Sequence, residues 1–337
     1  MSISADLLSL TGAVATLMTR SQHPVIVTGA GGWLGRTFLE MLDNAAIPGL
    51  SVAAFGKTGR QQVLRSGRTI ECQPLALLDN LELNRPVILH CAFLTREQTA
   101  GMSLNDYVDA NGAITDRVLA AARRMGAAGI FLPSSGAVYR ADGGLETDID
   151  RNPYGYLKVR DEQLFGALAA SQHIPLSIIR IFNLGGPFVN KGDAYVLSSI
   201  IQDILAGRPI TLRADRPVIR SYTHVVDVAN LGLYGAWGGQ GADATPFDTA
   251  GEVEVEVGDL AARVARVLGV ADRPVHRPAL SGQPANRYVG DGARMRTLAG
   301  LSNMTIASLD TQIVDAARYL GWDGNAPARE VVSIVTS

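Results

Sequence analysis

The stretch VIVTGAGGWLG, from Val25 to Gly35, decides the fold. Its apolar, β-branched start predicts a short buried strand, and the spacing from Trp33 onward predicts a helix. Between them, Gly29 and Gly32 predict a tight turn in which a ligand can approach the backbone. The helix start adds unpaired N–H groups and a positive dipole end, so the turn suits a pyrophosphate. Because the spacing is GxxGxxG rather than GxGxxG, a glycine-rich turn without a ligand remains the alternative.

Strand and helix patterns alternate after this first unit. This alternation predicts an α/β fold, a Rossmann-type doubly wound parallel sheet that binds ligands at the carboxyl ends of its strands. Past residue 185 the rhythm loosens, which predicts a smaller C-terminal substrate lobe. Further strands are predicted at 50–55, 87–93, 129–134 and 175–182, and helices at 107–125 and 154–170.

The composition excludes several classes of protein. A chain of 337 residues with 47% hydrophobic and 18% charged residues can bury a large core. Its formal net charge of −2 gives no indication of a nucleic-acid partner. The two cysteines, Cys72 and Cys91, favour a reducing, cytoplasmic compartment without disulfides or a metal site. No apolar run is long enough to predict a membrane span.

The organisation of the chain follows from these patterns. In residues 1–23, leucines recur at helical spacing and no Lys or Arg precedes Arg20, which favours a helix packed on the domain over a targeting segment. We expect the dinucleotide-binding domain at 24–185, with 221–250 returning to it. The substrate lobe is expected at 186–220 and 251–337.

The chemistry is predicted at Tyr154 and Lys158. Asn152 and Pro153 provide an N-cap and a first helical residue, so Tyr154 and Lys158 lie four residues apart on one face of a helix. A neighbouring ammonium favours the phenolate and lowers the tyrosine pKa, which produces an acid/base for alcohol and ketone chemistry. With nine tyrosines and only three lysines in the chain, a chance YxxxK pattern is the alternative.

A serine precedes this helix at the end of the predicted strand 129–134. Ser135 would face the crevice, where it can hydrogen-bond a substrate hydroxyl or carbonyl beside the tyrosine. The alternative is a serine that satisfies turn backbone, and this alternative is stronger for Ser134.

Taken in order, TGAGGWLG, HCAF, Asn111, SSGAVY, YGYLK, RIFNLGGP and RSYTHVVDVA resemble the extended short-chain dehydrogenase/reductase superfamily. The closest group within it is the NAD-dependent epimerase/dehydratase group that acts on nucleotide sugars. The resemblance covers His23 to about Trp322. It implies NAD or NADP as cofactor, a nucleotide-sugar substrate, and a homodimer formed through helices 105–125 and 154–170.

The resemblance also implies roles for individual residues. Ser135, Tyr154 and Lys158 would be catalytic. Asn183 and Arg220 would contact the substrate diphosphate, with Arg277 and Arg287 as weaker candidates; a structural ion pair is the alternative for Arg220. Asn111 and His224 would be structural. The implied cofactor-binding residues are Gly29, Gly32, Trp33, Leu34, Gly35, Ala92, Tyr154 and Lys158.

One departure from the family pattern concerns the cofactor. Where NAD enzymes of this fold place Asp or Glu after the second strand, this chain has Gly56, followed by Lys57 and Arg60. The missing carboxylate and the nearby cations fit a 2′-phosphate on the adenosine ribose and therefore favour NADP, with Lys57 as a cofactor contact. The alternative is NAD held by backbone groups.

A second departure concerns the reaction. Gly136 and Ala137 follow Ser135 where sugar 4,6-dehydratases carry an Asp-Glu pair, so dehydration is disfavoured and epimerisation or 4-keto reduction remains. Two rival functions stay open: reduction of a small ketone or aldehyde without a nucleotide, and non-catalytic nucleotide sensing.

Overall fold

The computed structural model describes residues 5–95 and 101–326, with side chains from residue 7. Within these ranges the helices follow the apolar patterns of the sequence. In chain order they are α1 (Gly12–Ser21), α2 (Trp33–Ala45), α3 (Leu104–Met125), α4 (Pro153–Gln172), α5 (Val196–Leu205), α6 (Val225–Ala236), α7 (Val257–Val267), α8 (Ala293–Leu301) and α9 (Leu309–Tyr319).

The described strands form one large sheet and three small ones. Their bounds are β1 (Val25–Thr28), β2 (Val52–Gly56), β3 (Arg60–Val63), β4 (Thr69–Pro74), β5 (Val87–His90), β6 (Gly129–Ser135), β7 (Leu176–Ile181), β8 (Leu184–Gly185), β9 (Ile210–Thr211), β10 (Val218–Ser221), β11 (Thr223–His224), β12 (Phe247–Asp248), β13 (Glu254–Glu256), β14 (Val275–His276) and β15 (Asn286–Tyr288).

Among the described residues, the large sheet has eight strands in the order β12-β7-β6-β5-β1-β2-β4-β3. All of its pairings are parallel except that of β3 with β4. The predicted Rossmann-type doubly wound sheet is therefore confirmed. The antiparallel β3–β4 hairpin at one edge was not predicted.

Both faces of this sheet are covered by helices. Val25 and Val27 of β1 point into one core cluster with α2, α6 and α1, whereas Ile26 between them points into another with α3 and α4. This alternation is the period of two that a strand imposes on its side chains, and it explains why β1 is apolar throughout. The carboxyl ends of β1, β5 and β6 are left at one edge, where the site lies.

A third core cluster lies outside the sheet and defines what we call the second lobe. It packs α5, α7 and α9 together around Leu260, Val264 and Ile313, all fully buried. The three-stranded sheet β13-β10-β15 lies beside this lobe and carries Arg220 and Tyr288.

Within the N-terminal segment, α1 packs on the domain that contains the large sheet. Val14 and Met18 of α1 are buried in the same cluster as α6, and Thr11 caps the helix by accepting a hydrogen bond from Val14 N. The Asn230 side chain of α6 accepts a hydrogen bond from Thr11 N and donates one to Ser9 O. No described helix is long and apolar enough to cross a membrane.

Candidate active site

The glycine-rich turn between β1 and α2 leaves backbone donors uncovered. Gly29 has a φ of +66°, and a Cβ there would lie 2.5 Å from the carbonyl of Cys91, so only glycine lets β1 and β5 approach this closely. Gly32 is the N-cap of α2 and supplies no side-chain hydrogen bond to the helix start. The first N–H groups of α2, including those of Trp33 and Leu34, are therefore suited to a pyrophosphate of a dinucleotide.

The side chains around this turn hold it in place. Trp33 is buried, and its Nε1 donates a 2.5 Å hydrogen bond to Pro187 O, which fixes the segment after β8 against the turn. Ala92 N donates to Thr28 Oγ1 at 3.2 Å, so Ala92 lies directly beside Gly29 at the end of β5. The predicted cofactor residues of β1, α2 and β5 are thus brought together.

Tyr154 and Ser135 meet at the carboxyl end of β6. Asn152 caps α4 by accepting from Gly155 N at 3.0 Å, and Pro153 occupies the first helical position, as predicted. The Ser135 hydroxyl lies close enough to the Tyr154 phenol to lower the pKa of that phenol. It also accepts from Ala137 N at 3.1 Å, so Ser135 serves the turn as well as the crevice.

Lys158 is buried, and it lies one helical turn after Tyr154 on α4. Its Nζ donates a 3.0 Å hydrogen bond to Pro133 O and lies over the Phe93 ring. Burial lowers the pKa of this ammonium. His90 lies nearby, and its pKa is lowered to about 3 by burial and then by the Lys158 charge, so this imidazole is neutral.

The predicted effect of Lys158 on the pKa of Tyr154 is corrected by this geometry. Burial raises the pKa of the Tyr154 phenol well above its usual value, although the Ser135 hydrogen bond lowers it in part. Helical spacing brings Lys158 to the same face as Tyr154, but the ammonium turns toward the Pro133 carbonyl and the Phe93 ring. Desolvation of the phenol is therefore the largest influence on the Tyr154 pKa.

Arg220 enters the site from β10. Its Nη1 donates to the carbonyls of Ile219 and Asn286, both at 2.9 Å. No described carboxylate lies within ion-pair distance of this arginine, in contrast to the structural ion pair considered from the sequence. Burial lowers the pKa of the guanidinium. Half-buried and without a carboxylate, Arg220 suits an anionic ligand.

Tyr288 is a site residue that the sequence did not indicate. Pairing of β10 with β15 sets Tyr288 opposite Arg220, whose guanidinium lies 5.9 Å from the centre of the ring. The Tyr288 hydroxyl lies 3.3 Å from Ser135 Oγ, and its ring packs on Phe182. Tyr288 therefore connects Arg220 with the Ser135–Tyr154 pair. The one sequence signal for Tyr288 was its aromatic side chain next to Arg287, a candidate substrate contact, on a short strand.

Asn183 and Arg277 have structural partners. Asn183 Nδ2 donates to Ser221 O and Tyr288 O, so a phosphate contact through this amide requires one of these bonds to open. Arg277 makes two 2.9 Å bonds to Glu256 and further bonds to backbone carbonyls of 214 and 216. A substrate contact through Arg277 would therefore require some of these bonds to open.

A buried polar network lies directly behind the site. Ser134 Oγ donates to Glu162 on α4, and Glu162 forms a two-point ion pair with Arg180 of β7, the shorter bond being 2.6 Å. Arg180 also donates to the Tyr139 hydroxyl at 2.7 Å, which donates to Asp248 at 2.9 Å. The network joins β6, α4, β7 and β12, so it fixes the strand end that carries Ser135. The Ser134 hydroxyl therefore bonds to a carboxylate of α4 and not to the turn backbone that the sequence suggested for it.

A sequence model described as the NAD dependent epimerase/dehydratase family matches residues 25–234, more than half of the chain. The chain belongs to this family. Its members are enzymes of the extended short-chain dehydrogenase/reductase type, as the sequence resemblance predicted.

Relatives of this family enzyme include epimerases and a reductase. UDP-glucose 4-epimerase of Azospirillum brasilense is 26% identical over 238 residues, 64% of this chain and 68% of the relative. dTDP-4-dehydro-6-deoxy-D-allose reductase of a Streptomyces species is 23% identical over 309 residues, 83% and 90% of the two chains.

A solved structure supports the same fold. UDP-N-acetylglucosamine 4-epimerase of Methanobrevibacter ruminantium, in complex with UDP-N-acetylmuramic acid, has a TM-score of 0.70. At 16% identity it covers 88% of this chain and 97% of its own.

Asn111 and His224, which were expected to be structural, are both buried and hydrogen-bonded within the protein. Asn111 is fully buried, accepts from Leu94 N at 2.9 Å and donates to Leu94 O, so it holds the segment that follows β5. His224 is buried and caps α6 by accepting from Val226 N at 3.1 Å. Among the described residues, no group of three or more His, Cys, Asp or Glu side chains is placed so that it could bind a metal ion.

Lys57 and Arg60, the two cations that suggested NADP, differ in their position relative to the glycine-rich turn. Lys57 is exposed and lies outside the cavity that opens beside the glycine-rich turn. Arg60 lines this cavity, and its guanidinium occupies the space that a Cβ on Gly31 would take. Of these two cations, Arg60 is therefore the one that lies against the turn.

Proposed function

We propose that this enzyme moves a hydride and a proton at a carbon of a nucleotide-linked sugar, as an epimerase or as a 4-keto reductase. The observation that carries the proposal is the convergence of Tyr154, Ser135 and Lys158 at the carboxyl edge of the sheet, beside the uncovered N–H groups of α2. The relatives named above act on nucleotide sugars by their names, which agrees with it.

Tyr154 would be the acid/base at the reacting sugar oxygen. With its pKa raised by burial, the phenol holds its proton at neutral pH and can donate it to the oxygen of a keto sugar. Ser135, whose hydroxyl lies beside this phenol, would donate to the same oxygen and stabilise its developing charge.

Lys158 would hold the ribose next to the nicotinamide and keep a positive charge below Tyr154. Gly29, Gly32, Gly35 and Ala92 would form the backbone surface on which the pyrophosphate rests. When bound, the nicotinamide supplies the hydride acceptor and donor, which no side chain of this chain can replace.

Arg220 would hold the substrate diphosphate. Its guanidinium faces the site without a carboxylate partner among the described residues, and such a fork binds phosphate oxygens well. Asn183 is proposed as a weaker contact, since its amide would first have to release a carbonyl. Binding energy at the diphosphate would then position the sugar ring against Tyr154.

The cofactor is proposed to be NADP in preference to NAD. β2 ends at Gly56, which has no carboxylate for the adenosine ribose hydroxyls, and the Arg60 guanidinium lies against Gly31. A reductase is favoured by NADP, whereas tightly held NAD would favour the epimerase. Assembly as a homodimer through α3 and α4 is part of the proposal.

Turnover of a nucleotide-sugar panel tests the proposal. Native mass spectrometry of the purified enzyme identifies the retained cofactor and the preferred sugar, and Tyr154→Phe is then compared with wild type on that sugar. Loss of at least a hundredfold in kcat is expected for removal of a general acid/base. Tyr156→Phe, two residues along the same helix, is the matched control and should keep wild-type turnover. Equal turnover by wild type and Tyr154→Phe overturns the proposal.

A further inference from the structure

A cavity of about 620 Å³ opens beside the glycine-rich turn, and Tyr154 is not among its lining residues. Its volume lies within the range of small-molecule sites. Four arginines and no carboxylate are among its lining residues, which come from α2, the β3–β4 hairpin, the segment after β8 and α9. They are Gly31, Gly32, Arg36, Arg60, Gln61, Gln62, Val63, Arg65, Phe188, Asn190, Arg318 and Tyr319.

Three of these arginines differ in the protein partners that their guanidinium groups already have. Arg36 forms an ion pair with Glu40 and donates to Val63 O at 2.7 Å. Arg60 donates to Gln62 Oε1 at 3.3 Å and pairs with no described carboxylate. Arg318, at the end of α9, makes no side-chain hydrogen bond or ion pair with any residue in 5–95 and 101–326. Positive charge at Arg60 and Arg318 therefore remains available to a ligand.

The two arginines come from different cores of the molecule. Arg60 begins β3 at the edge of the large sheet, whereas Arg318 belongs to the helix that packs with α5 and α7 in the second lobe. Tyr319, next to Arg318, packs edge-on against Phe188, with ring centres 5.4 Å apart, and closes the wall between them. A phosphate between Arg60 and Arg318 would contact both parts of the protein.

We infer that Arg318 and Arg60 together form a site for a phosphate monoester beside Gly31, and that the 2′-phosphate on the adenosine ribose of the cofactor occupies it. Gly31 and Gly32 form one wall of the cavity, so the site is continuous with the turn proposed to hold the pyrophosphate. Guanidinium forks bind phosphate oxygens in pairs, which suits two arginines that line one cavity. The inference rests on the proposed dinucleotide site and adds a residue of the second lobe to it.

Binding of adenosine 2′,5′-bisphosphate and of 5′-AMP to the intact protein, measured by calorimetry, tests the inference without turnover. Wild type should bind the bisphosphate about tenfold or more tightly, since one charge-assisted pair accounts for that difference. Arg318→Gln and Arg60→Gln should each bring the two affinities to within about threefold by weakening the bisphosphate alone. Arg318→Lys, which keeps the charge, should retain part of the preference and guards against a folding defect.

Arg266→Gln is the matched control, because Arg266 is an exposed arginine of α7 in the same lobe that does not line the cavity. It should behave as wild type. Equal affinities in wild type overturn the inference, and an unchanged preference in Arg318→Gln removes Arg318 from the site. Inorganic phosphate that binds equally well with and without 5′-AMP, in a protein with no bisphosphate preference, would identify a free-anion site instead. These measurements do not involve Tyr154, so their failure is distinct from failure of the proposed reaction.

Discussion

The Nζ atom of Lys158 lies 3.8 Å from the centre of the Phe93 ring. The Tyr154 ring meets the same phenyl ring edge-on, with centres 5.5 Å apart. One aromatic side chain thus contacts both members of the Tyr-Lys pair. The attraction between its ring face and the buried ammonium offsets part of the hydration free energy that the ammonium has lost. Phe93 is therefore a positioning residue for this pair.

Replacement of Phe93 by Leu removes the ring face while keeping the site apolar. We expect kcat to fall about five- to tenfold, the size of a buried cation–π contact. The pKa of Lys158 should fall further, so the alkaline limb of the pH–rate profile should move to lower pH. Phe93→Tyr keeps the ring and should stay near wild type. A Phe93→Leu profile that coincides with wild type would show that the ring does not support Lys158.

Arg220 should affect substrate binding more than the chemical step. Arg220→Ala is expected to raise KM for the nucleotide sugar by about ten- to a hundredfold, because a charge-assisted phosphate contact is lost, with kcat changed only a few-fold. Arg208→Gln removes an exposed arginine that pairs with Asp203 and serves as control. An unchanged KM in Arg220→Ala would favour a small ketone or aldehyde substrate that carries no diphosphate.

The Glu162–Arg180 pair should contribute strongly to stability. Both side chains are largely buried, 6% and 12% exposed, so Glu162→Gln leaves Arg180 without its counter-charge. Urea unfolding should show a loss of about 3 to 5 kcal/mol in the free energy of unfolding. Glu82→Gln breaks the exposed pair with Arg124 and should cost less than about 1 kcal/mol. Similar losses in the two variants would mean that Arg180 finds another partner.

The contact between Arg277 and Glu256 should make stability depend on pH in the acid range. Burial raises the pKa of Glu256, but the hydrogen bonds from Arg277 and from two backbone N–H groups outweigh it and lower the pKa to about 2. Because the folded value lies below the ordinary 4.5, this stabilisation is complete above about pH 4.5 and is lost as the pH falls toward 2.

Arg277→Ala should therefore unfold at lower urea concentration than wild type at pH 7, and the difference should narrow as the pH falls below 4.5. A difference that stays constant down to pH 3 would show that Glu256 is not the group that titrates.

The sequence predicted the parallel sheet because each of its signals is local. Val25 to Gly35 contains the strand, the turn and the helix start in eleven neighbouring residues, and Asn152-Pro153 fixes the start of α4 by its own capping chemistry. The β3–β4 hairpin escaped prediction because Arg60–Val63 reads RQQV, which has little apolar character on either face. Its pairing with β4, rather than its composition, makes it a strand.

The site was predictable where motifs carry it and not where distant strands meet. Tyr154 and Lys158 lie four residues apart, but that spacing does not determine which way the ammonium turns, and the direction of the Tyr154 pKa shift was wrong for this reason. Tyr288 reaches Ser135 across 153 positions of sequence through the pairing of β15 with β10. Arg318 likewise lines one cavity with Gly31 and Gly32, which lie far from it in the sequence.

The hydrogen bond from Thr11 to Asn230 joins groups 219 positions apart. During synthesis α1 is made long before α6, the helix on which Val14 and Met18 pack. These apolar side chains therefore lack that part of their packing until residues 225–236 have been made. A chain truncated before residue 225 should accordingly expose apolar surface on α1 and aggregate or bind chaperones.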